Sequence, residues 1–233
     1  METLSFIIGI IGNILSVLVF LAPIDTFWKI VKNKSTEEFK IFPYVTALLS
    51  SCQWVYYGVI SPDGLLVATV NGFGIFVESI FILLFLIYAP SRMRMKRAYL
   101  VAFLNVGVFA TILLVTQLAL EEYDRLIVIG CLCVGLNIIM YASPLSAIKT
   151  VITTKSVKYM PFYLSFFIFL NSGTWALYGF LQNDFFIWIP NGSGFILGAI
   201  QLVLYAIYRN ATKERPLAEG LLENGVVDNN LII

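Results

Sequence analysis

Histidine is absent from the 233 residues of this chain. That excludes imidazole acid–base catalysis, imidazole metal sites and histidine proton relays. Charge is scarce too: Asp, Glu, Lys and Arg make up 12% of the chain, about half of the ~25% usual in soluble domains. The net charge of +1 leaves no basic excess with which to hold a nucleic-acid backbone. Cysteine is limited to Cys52, Cys131 and Cys133, all in apolar runs. Their spacing fits neither a zinc site nor a disulfide framework, and they read as small buried hydrophobes. What the chain does have is apolar surface: 59% of its residues are hydrophobic and the mean hydropathy is +0.87. A water-soluble globule of 26.2 kDa has too little interior to hide that much, which argues against a soluble enzyme.

A transmembrane helix needs roughly 20 mostly apolar residues. Seven such runs stand out, at about Leu4–Ala22, Pro43–Ile60, Leu65–Tyr88, Tyr99–Leu120, Leu126–Ala147, Pro161–Leu181 and Phe185–Tyr208. The first lacks a basic leader and a small-x-small cleavage site, so it reads as a retained span. The loops after spans 1, 3 and 5 and the C-terminal tail hold 14 of the 15 Lys and Arg residues; only Arg125 lies on the other side. The positive-inside rule then predicts a cytosolic C-terminus and a lumenal or extracellular N-terminus. The glycosylation sequons at Asn33 and Asn210 fall on the cytosolic side and that at Asn191 within a span, so none is expected to be modified.

The chain contains one unit twice. Pro23 and Pro144, Lys34-Ser35 and Lys155-Ser156, and Trp54-x-x-Tyr57-Gly58 and Trp175-x-x-Tyr178-Gly179 are each separated by 121 positions. Asn71-Gly72-x-Gly74 and Asn191-Gly192-x-Gly194 are separated by 120, and Pro43 corresponds to Pro161 after a short gap. Each unit holds three spans with its basic loop after the first, so the two units face the same way. An odd span between them is needed to achieve that. The predicted organisation is all-α, 3+1+3: a first repeat over 1–90, an inversion linker over 91–125, a second repeat over 126–210 and a disordered cytosolic tail over 211–233. A two-fold repeat about the membrane normal suggests two bundles around one central path.

Within the spans the polar residues are few. Glu78 is the one acid there, and a charge at bilayer depth is costly. It is either a proton-coupling group or, the preferred reading, a carboxyl satisfied by neighbouring helices. Asn71 and Asn191 occupy matched positions, each followed by glycine, and two facing carboxamides could grip a neutral polyhydroxyl solute. The competing reading is hydrogen-bonded glue between helices. Trp54 and Trp175, also matched, either stack on a sugar ring or pack at the membrane interface. Pro23, Pro43, Pro144 and Pro161 flank spans 1, 2, 5 and 6 at the basic side, as helix punctuation or as hinges. Tyr57 and Asp184, from different repeats, could latch across the opposite mouth.

These residues together resemble the SWEET sugar facilitators of the PQ-loop type. The likeness is carried by Pro23, Lys34-Ser35-Thr36-Glu37, Pro43-Tyr44, Trp54-x-x-Tyr57-Gly58, Thr69-Val70-Asn71-Gly72-Phe73-Gly74, Ser143-Pro144-Leu145, Lys155-Ser156-Val157, Met160-Pro161-Phe162 and Pro190-Asn191-Gly192. It covers residues 4–212 and is nearest to the plant vacuolar clade that moves hexoses such as fructose and glucose. The resemblance implies a bidirectional facilitative uniporter that alternates access, with no cofactor and with a lipid bilayer and a neutral sugar as its partners. It implies a pocket of Asn71, Asn191, Trp54 and Trp175 with Ser16, Val19, Ser50, Met140 and Asn171 beside them. It implies a gate of Tyr57 and Asp184, a proline tetrad of Pro23, Pro43, Pro144 and Pro161, residence in the vacuolar or plasma membrane, and homo-oligomers, often trimers.

Two other classes fit less well. A proton-coupled PQ-loop exporter of amino acids would want more buried ionisable groups than Glu78. A seven-helix receptor would carry Asp-Arg-Tyr after span 3 and Asn-Pro-x-x-Tyr in span 7, and neither is present. No nucleophile–base pair marks a membrane enzyme. In the tail, Asp228-x-x-Leu231-Ile232 loosely resembles an acidic dileucine sorting signal.

Overall fold

The structure, a computed structural model, describes residues 2–158 and 160–223, with side chains described for 3–158 and 160–210. Every regular element among them is helical: α1 (Glu2–Leu21), α2 (Ile24–Asn33), α3 (Phe42–Ile60), α4 (Leu65–Tyr88), α5 (Ser91–Val101), α6 (Phe109–Ala119), α7 (Glu122–Met140), α8 (Ala142–Thr154), α9 (Phe162–Leu181) and α10 (Phe185–Glu223). A π-helical stretch, Ala102–Val108, joins α5 to α6 without a break. Six stretches are long and apolar enough to cross a membrane: Thr3–Asn33, Leu65–Tyr88, Ser91–Ala119, Glu122–Thr154, Phe162–Leu181 and Phe185–Asn210. The chain is a multi-pass membrane protein.

The seventh expected span, α3, is not among those six, and its chemistry explains why. Its 19 residues reach about 28 Å at ~1.5 Å per residue, but they include Thr46, Ser50, Ser51 and Gln53, all buried. A helix enclosed by protein can carry polar groups that a lipid-facing helix cannot.

Two expected boundaries shift. Spans 1 and 5 each continue beyond a bend as a second helix, so Lys29 and Lys32 ride on α2 and Lys149 on α8 rather than in loops. Both second helices stop the same way. Lys34 and Lys155 adopt left-handed φ of 49° and 54°. Ser35 and Ser156 then accept the backbone N–H two residues on, from Glu37 and Lys158. The repeated Lys-Ser is a helix stop. At the other end of the chain, α10 continues to Glu223, past the residue 211 at which the sequence reading ends order. The sorting-like Asp228-x-x-Leu231-Ile232 lies outside the described residues.

Packing follows the duplication. Helix α4 lies between α1 and α3, and α10 between α7 and α9; the triplets meet where α1 packs on α9 and α3 on α7. The six form a ring in the order α1, α4, α3, α7, α10, α9. Exchanging α1 with α7, α3 with α9 and α4 with α10 maps this ring onto itself. The linker α5–π–α6 lies outside it, against α3, α4 and α7. There Tyr56 of α3 shares a 2.9 Å hydrogen bond with Thr116 of α6. The Lys/Arg-bearing turns gather at one end of the ring, the basic end. The α3–α4 and α9–α10 turns, with Asp63 and Asp184, lie at the opposite end.

Candidate functional site

The duplicated Trp-x-x-Tyr-Gly places three functions on one face of α3 and of α9, because positions i, i+3 and i+4 share a helix face. The glycines let the helix hairpins close. A Cβ on Gly58 would sit 2.7 Å from the Ala68 nitrogen, and one on Gly179 would sit 2.7 Å from the Trp188 nitrogen. The tyrosines close the opposite end. Tyr57 donates to Asp184 Oδ2 at 2.6 Å, and Tyr178 donates to the Asp63 carbonyl at 2.9 Å. Since Asp63 and Asp184 are also 121 apart, the two bonds are a matched pair, each running from one repeat to the other. Asp184 Oδ1 meanwhile accepts the Ile187 N–H at 3.1 Å, capping α10 and fixing the carboxylate. Both tyrosines are buried, at 1% exposure, and seal the ring between the centre and a vestibule of about 280 Å³ at that end.

Directly inside the tyrosines lie the tryptophans, edge-on to them: Trp54 on Tyr57 at 5.5 Å and Trp175 on Tyr178 at 5.3 Å between ring centroids. They line a central cavity of about 140 Å³ with Ser16, Val19, Asn71, Asn137, Asn171 and Asn191. Asn71 and Asn191 are braced alike. Each carboxamide nitrogen donates back to the carbonyl four residues earlier, Val67 at 2.9 Å and Ile187 at 2.8 Å. That fixes the amide and leaves its oxygen and second N–H for a solute. No residue lining this cavity is ionisable.

Two further bonds cross between the repeats at the level of the cavity. Ser16 of α1 donates to Asn171 Oδ1 of α9 at 2.7 Å and itself accepts the indole N–H of Trp175 at 2.9 Å. Ser50 of α3 donates to Asn137 Oδ1 of α7 at 3.5 Å. Ser16 and Asn137 are 121 apart, as are Ser50 and Asn171, so these too are a matched pair. The first repeat supplies the hydroxyls and the second the carboxamides, one clasp tight and the other loose.

Of the residues expected at the pocket, Asn71, Asn191, Trp54, Trp175, Asn171, Ser16 and Val19 all line the cavity. Ser50 stands one bond behind it, on Asn137. Met140 is a correction. As the last residue of α7, at the bend into α8, it borders a different cavity within the second repeat. The prolines sit at the basic end, in or just before the first turns of helices: Pro23 ahead of α2, Pro43 in α3, Pro144 in α8 and Pro161 ahead of α9. No intrahelical bond is lost at such positions. Pro144 thus opens a helix instead of ending a span.

Glu78 is 4% exposed, and its Oε2 has no hydrogen-bond partner among the described residues, so the expected satisfaction by neighbouring helices is incomplete. It does not line the central cavity. Of the cysteines Cys133 is buried, whereas Cys131 is exposed on the outer face of α7, correcting the expectation that all three are interior. Asn137, Tyr178 and Asp63 went unforeseen. The 121-residue offset applied to Ser16, Tyr57 and Asp184 names all three.

The comparisons with known proteins agree among themselves. A family model described as "sugar efflux transporter for intercellular exchange" matches residues 6–93 and again residues 127–213. The bidirectional sugar transporter SWEET17 of Arabidopsis thaliana is 56% identical over 96% of this chain and 92% of its own length. SWEET16 of the same plant is 50% identical over 96% of this chain and 98% of its own. The solved structure of a eukaryotic SWEET transporter superposes with a TM-score of 0.85 at 42% identity, covering 88% of this chain and 97% of that one.

Proposed function

The chain belongs to the SWEET family of sugar transporters, and from that premise we propose a bidirectional facilitative uniporter of hexoses such as fructose and glucose, working by alternating access around the Asn71–Asn191 pocket. The observation that carries the reading is the chemistry of the central cavity: two braced carboxamides, two indoles and further Asn and Ser groups, with no ionisable side chain. A zwitterionic amino acid would leave both its charges unpaired there, at a cost of several kcal/mol. A neutral sugar exchanges water hydrogen bonds for carboxamide ones and lays its C–H faces on Trp54 and Trp175. Such exchange is close to balanced, which suits a carrier that must release on both sides; millimolar binding, roughly −4 kcal/mol, is enough.

A cavity of about 140 Å³ narrowed by Asn137 and Asn171 favours a monosaccharide. Glu78 lies off the pocket, so the transport cycle contains no evident proton-coupling step and equilibrates sugar without concentrating it. In that cycle the Tyr57–Asp184 latch opens the opposite end, and the bends at Pro23, Pro43, Pro144 and Pro161 flex the basic end. The charge distribution supports a cytosolic basic end and C-terminus. The identity to SWEET17 and SWEET16, at 56% and 50%, supports a vacuolar membrane. The family habit supports homo-oligomers, trimers among them. The repeats are taken as 1–90 and 126–210, joined by the linker.

Fructose and glucose uptake and efflux by purified full-length protein in liposomes tests this. Saturable flux in both directions that falls in Asn71→Ala and Asn191→Ala is expected. Unchanged flux in both variants would remove the pocket assignment.

A further inference from the structure

The two repeats differ at the basic end. In the first, Phe27 of α2, Tyr44 of α3 and Phe81 of α4 fill the bundle: Phe27 stacks on Phe81 at 4.2 Å, and Tyr44 meets Phe27 edge-on at 4.8 Å. The repeat offsets that match the tryptophans and asparagines put Ile148, Ser165 and Gln201 at these places in the second repeat. Three rings are replaced by one aliphatic side chain, a hydroxyl and a carboxamide. The volume is not taken up by neighbours. A cavity of about 330 Å³ lies there between α8, α9 and α10, far more than the ~10–15 Å³ one water needs.

Its lining is amphipathic. Gln201 and Ser165 border it at 6% and 3% exposure, and neither side-chain group meets a hydrogen-bond partner among the described residues. Burying a carboxamide and a hydroxyl unpaired is costly unless something else bonds them. Around them lie Met140, Met160 and Leu164, and the lining contains no carboxylate, Lys or Arg. The cavity is aligned with the central pocket along one helix face. Asn191, Gly194, Gly198 and Gln201 are spaced three, four and three apart, one stripe of α10. Ten residues of helix set Gln201 about 15 Å from Asn191 toward the basic end. The last three of these residues border the second cavity and the first borders the central one.

We infer that this cavity is a second binding station for a neutral polyhydroxyl solute, held by Gln201 and Ser165 and lying between the central pocket and the basic end. It rests on the proposed sugar transport. The pathway is then asymmetric despite the duplicated fold, because only the second repeat has exchanged its rings for polar groups. A solute leaving Asn191 toward the basic end pauses there.

The test uses the full chain with Cys131→Ser and Ser165→Cys, in membranes, reacted with a small neutral methanethiosulfonate, with fructose as the probe. With fructose at three times its dissociation constant, modification should slow about fourfold, as the free fraction falls by 1 + [L]/Kd. The same slowing should persist after Asn71→Ala/Asn191→Ala, which removes both braced carboxamides of the central pocket, and disappear after Gln201→Leu. Protection lost with Asn71→Ala/Asn191→Ala overturns the proposal, because the central pocket alone would then account for it. Protection absent in every background, or produced equally by betaine at matched osmolarity, overturns it as well. Gln201→Phe, which restores the first repeat's ring, should change the ratio of KM values measured from the two faces. A stabilised protein with that ratio unchanged would mean a packing void and nothing more. Wild-type fructose flux, measured alongside, separates failure of this station from failure of sugar transport itself.

Discussion

Removing one oxygen from the Tyr57 latch tests the gating geometry. In Tyr57→Phe the ring remains to pack on Trp54 and Phe186, while the 2.6 Å bond to Asp184 is lost. Asp184 keeps its bond from the Ile187 N–H, so the carboxylate stays in place. A hydrogen bond to a charged group is worth about 1.5–3 kcal/mol. It exists only while the two repeats are together at that end. Its loss should therefore shift the closed-to-open ratio by about 10- to 150-fold toward open. Tyr178 still reaches the Asp63 carbonyl, so the shift should be partial and should grow in the double variant Tyr57→Phe/Tyr178→Phe. The assay is the distance between spin labels at 61 and 183, read with fructose flux from each face. A wider distribution and a changed ratio of KM values are expected. A double-mutant cycle with Asp184→Asn should give a coupling of at least ~1 kcal/mol. Additive effects, or an unaltered distance distribution in both single variants, would refute the latch.

Other substitutions probe other parts of the same geometry. Asn71→Ala and Asn191→Ala each delete a braced carboxamide worth about 0.5–1.5 kcal/mol of binding; flux at sub-saturating fructose should drop by about 2- to 13-fold, with membrane abundance unchanged on a blot. Asn137→Ala frees Ser50 and removes a carboxamide from the cavity wall, so fructose KM should rise by a few-fold up to about tenfold in liposome uptake. Glu78→Gln keeps the side-chain shape away from the pocket and should leave flux intact and independent of pH; strong loss of flux together with wild-type proton currents would assign coupling to Glu78. Gly179→Val puts a Cβ 2.7 Å from the Trp188 nitrogen, so the α9–α10 hairpin must part and the protein should melt well below wild type in detergent.

The sequence conveyed the architecture because the membrane imposes it. Spans are legible as apolar runs, orientation as loop charge, and parallel repeats as residues recurring at a constant offset. Pairing was legible only in part. Tyr57 with Asp184 could be matched as complementary groups at one mouth. Their partners Tyr178 and Asp63 follow only when the offset is applied to the latch itself, and Asn137 follows in the same way from Ser16. Met140, at the last residue of α7, borders the second cavity and not the central one, and which cavity a helix end meets depends on tertiary packing. The unpaired Oε2 of Glu78 and the empty volume beside Gln201 depend on what neighbouring helices fail to supply, which no single stretch of sequence records. The polar α3 hid its burial in the same way: low hydropathy there reflects a protein environment, not a loop.

The most direct test of uncoupled sugar transport is the fructose concentration reached inside proteoliposomes at steady state, with and without an imposed proton gradient. The pocket's neutral lining and the position of Glu78 predict saturable uptake and efflux that stop when inside and outside concentrations are equal, whatever the gradient. Accumulation above the external concentration when protons are driven inward would contradict it.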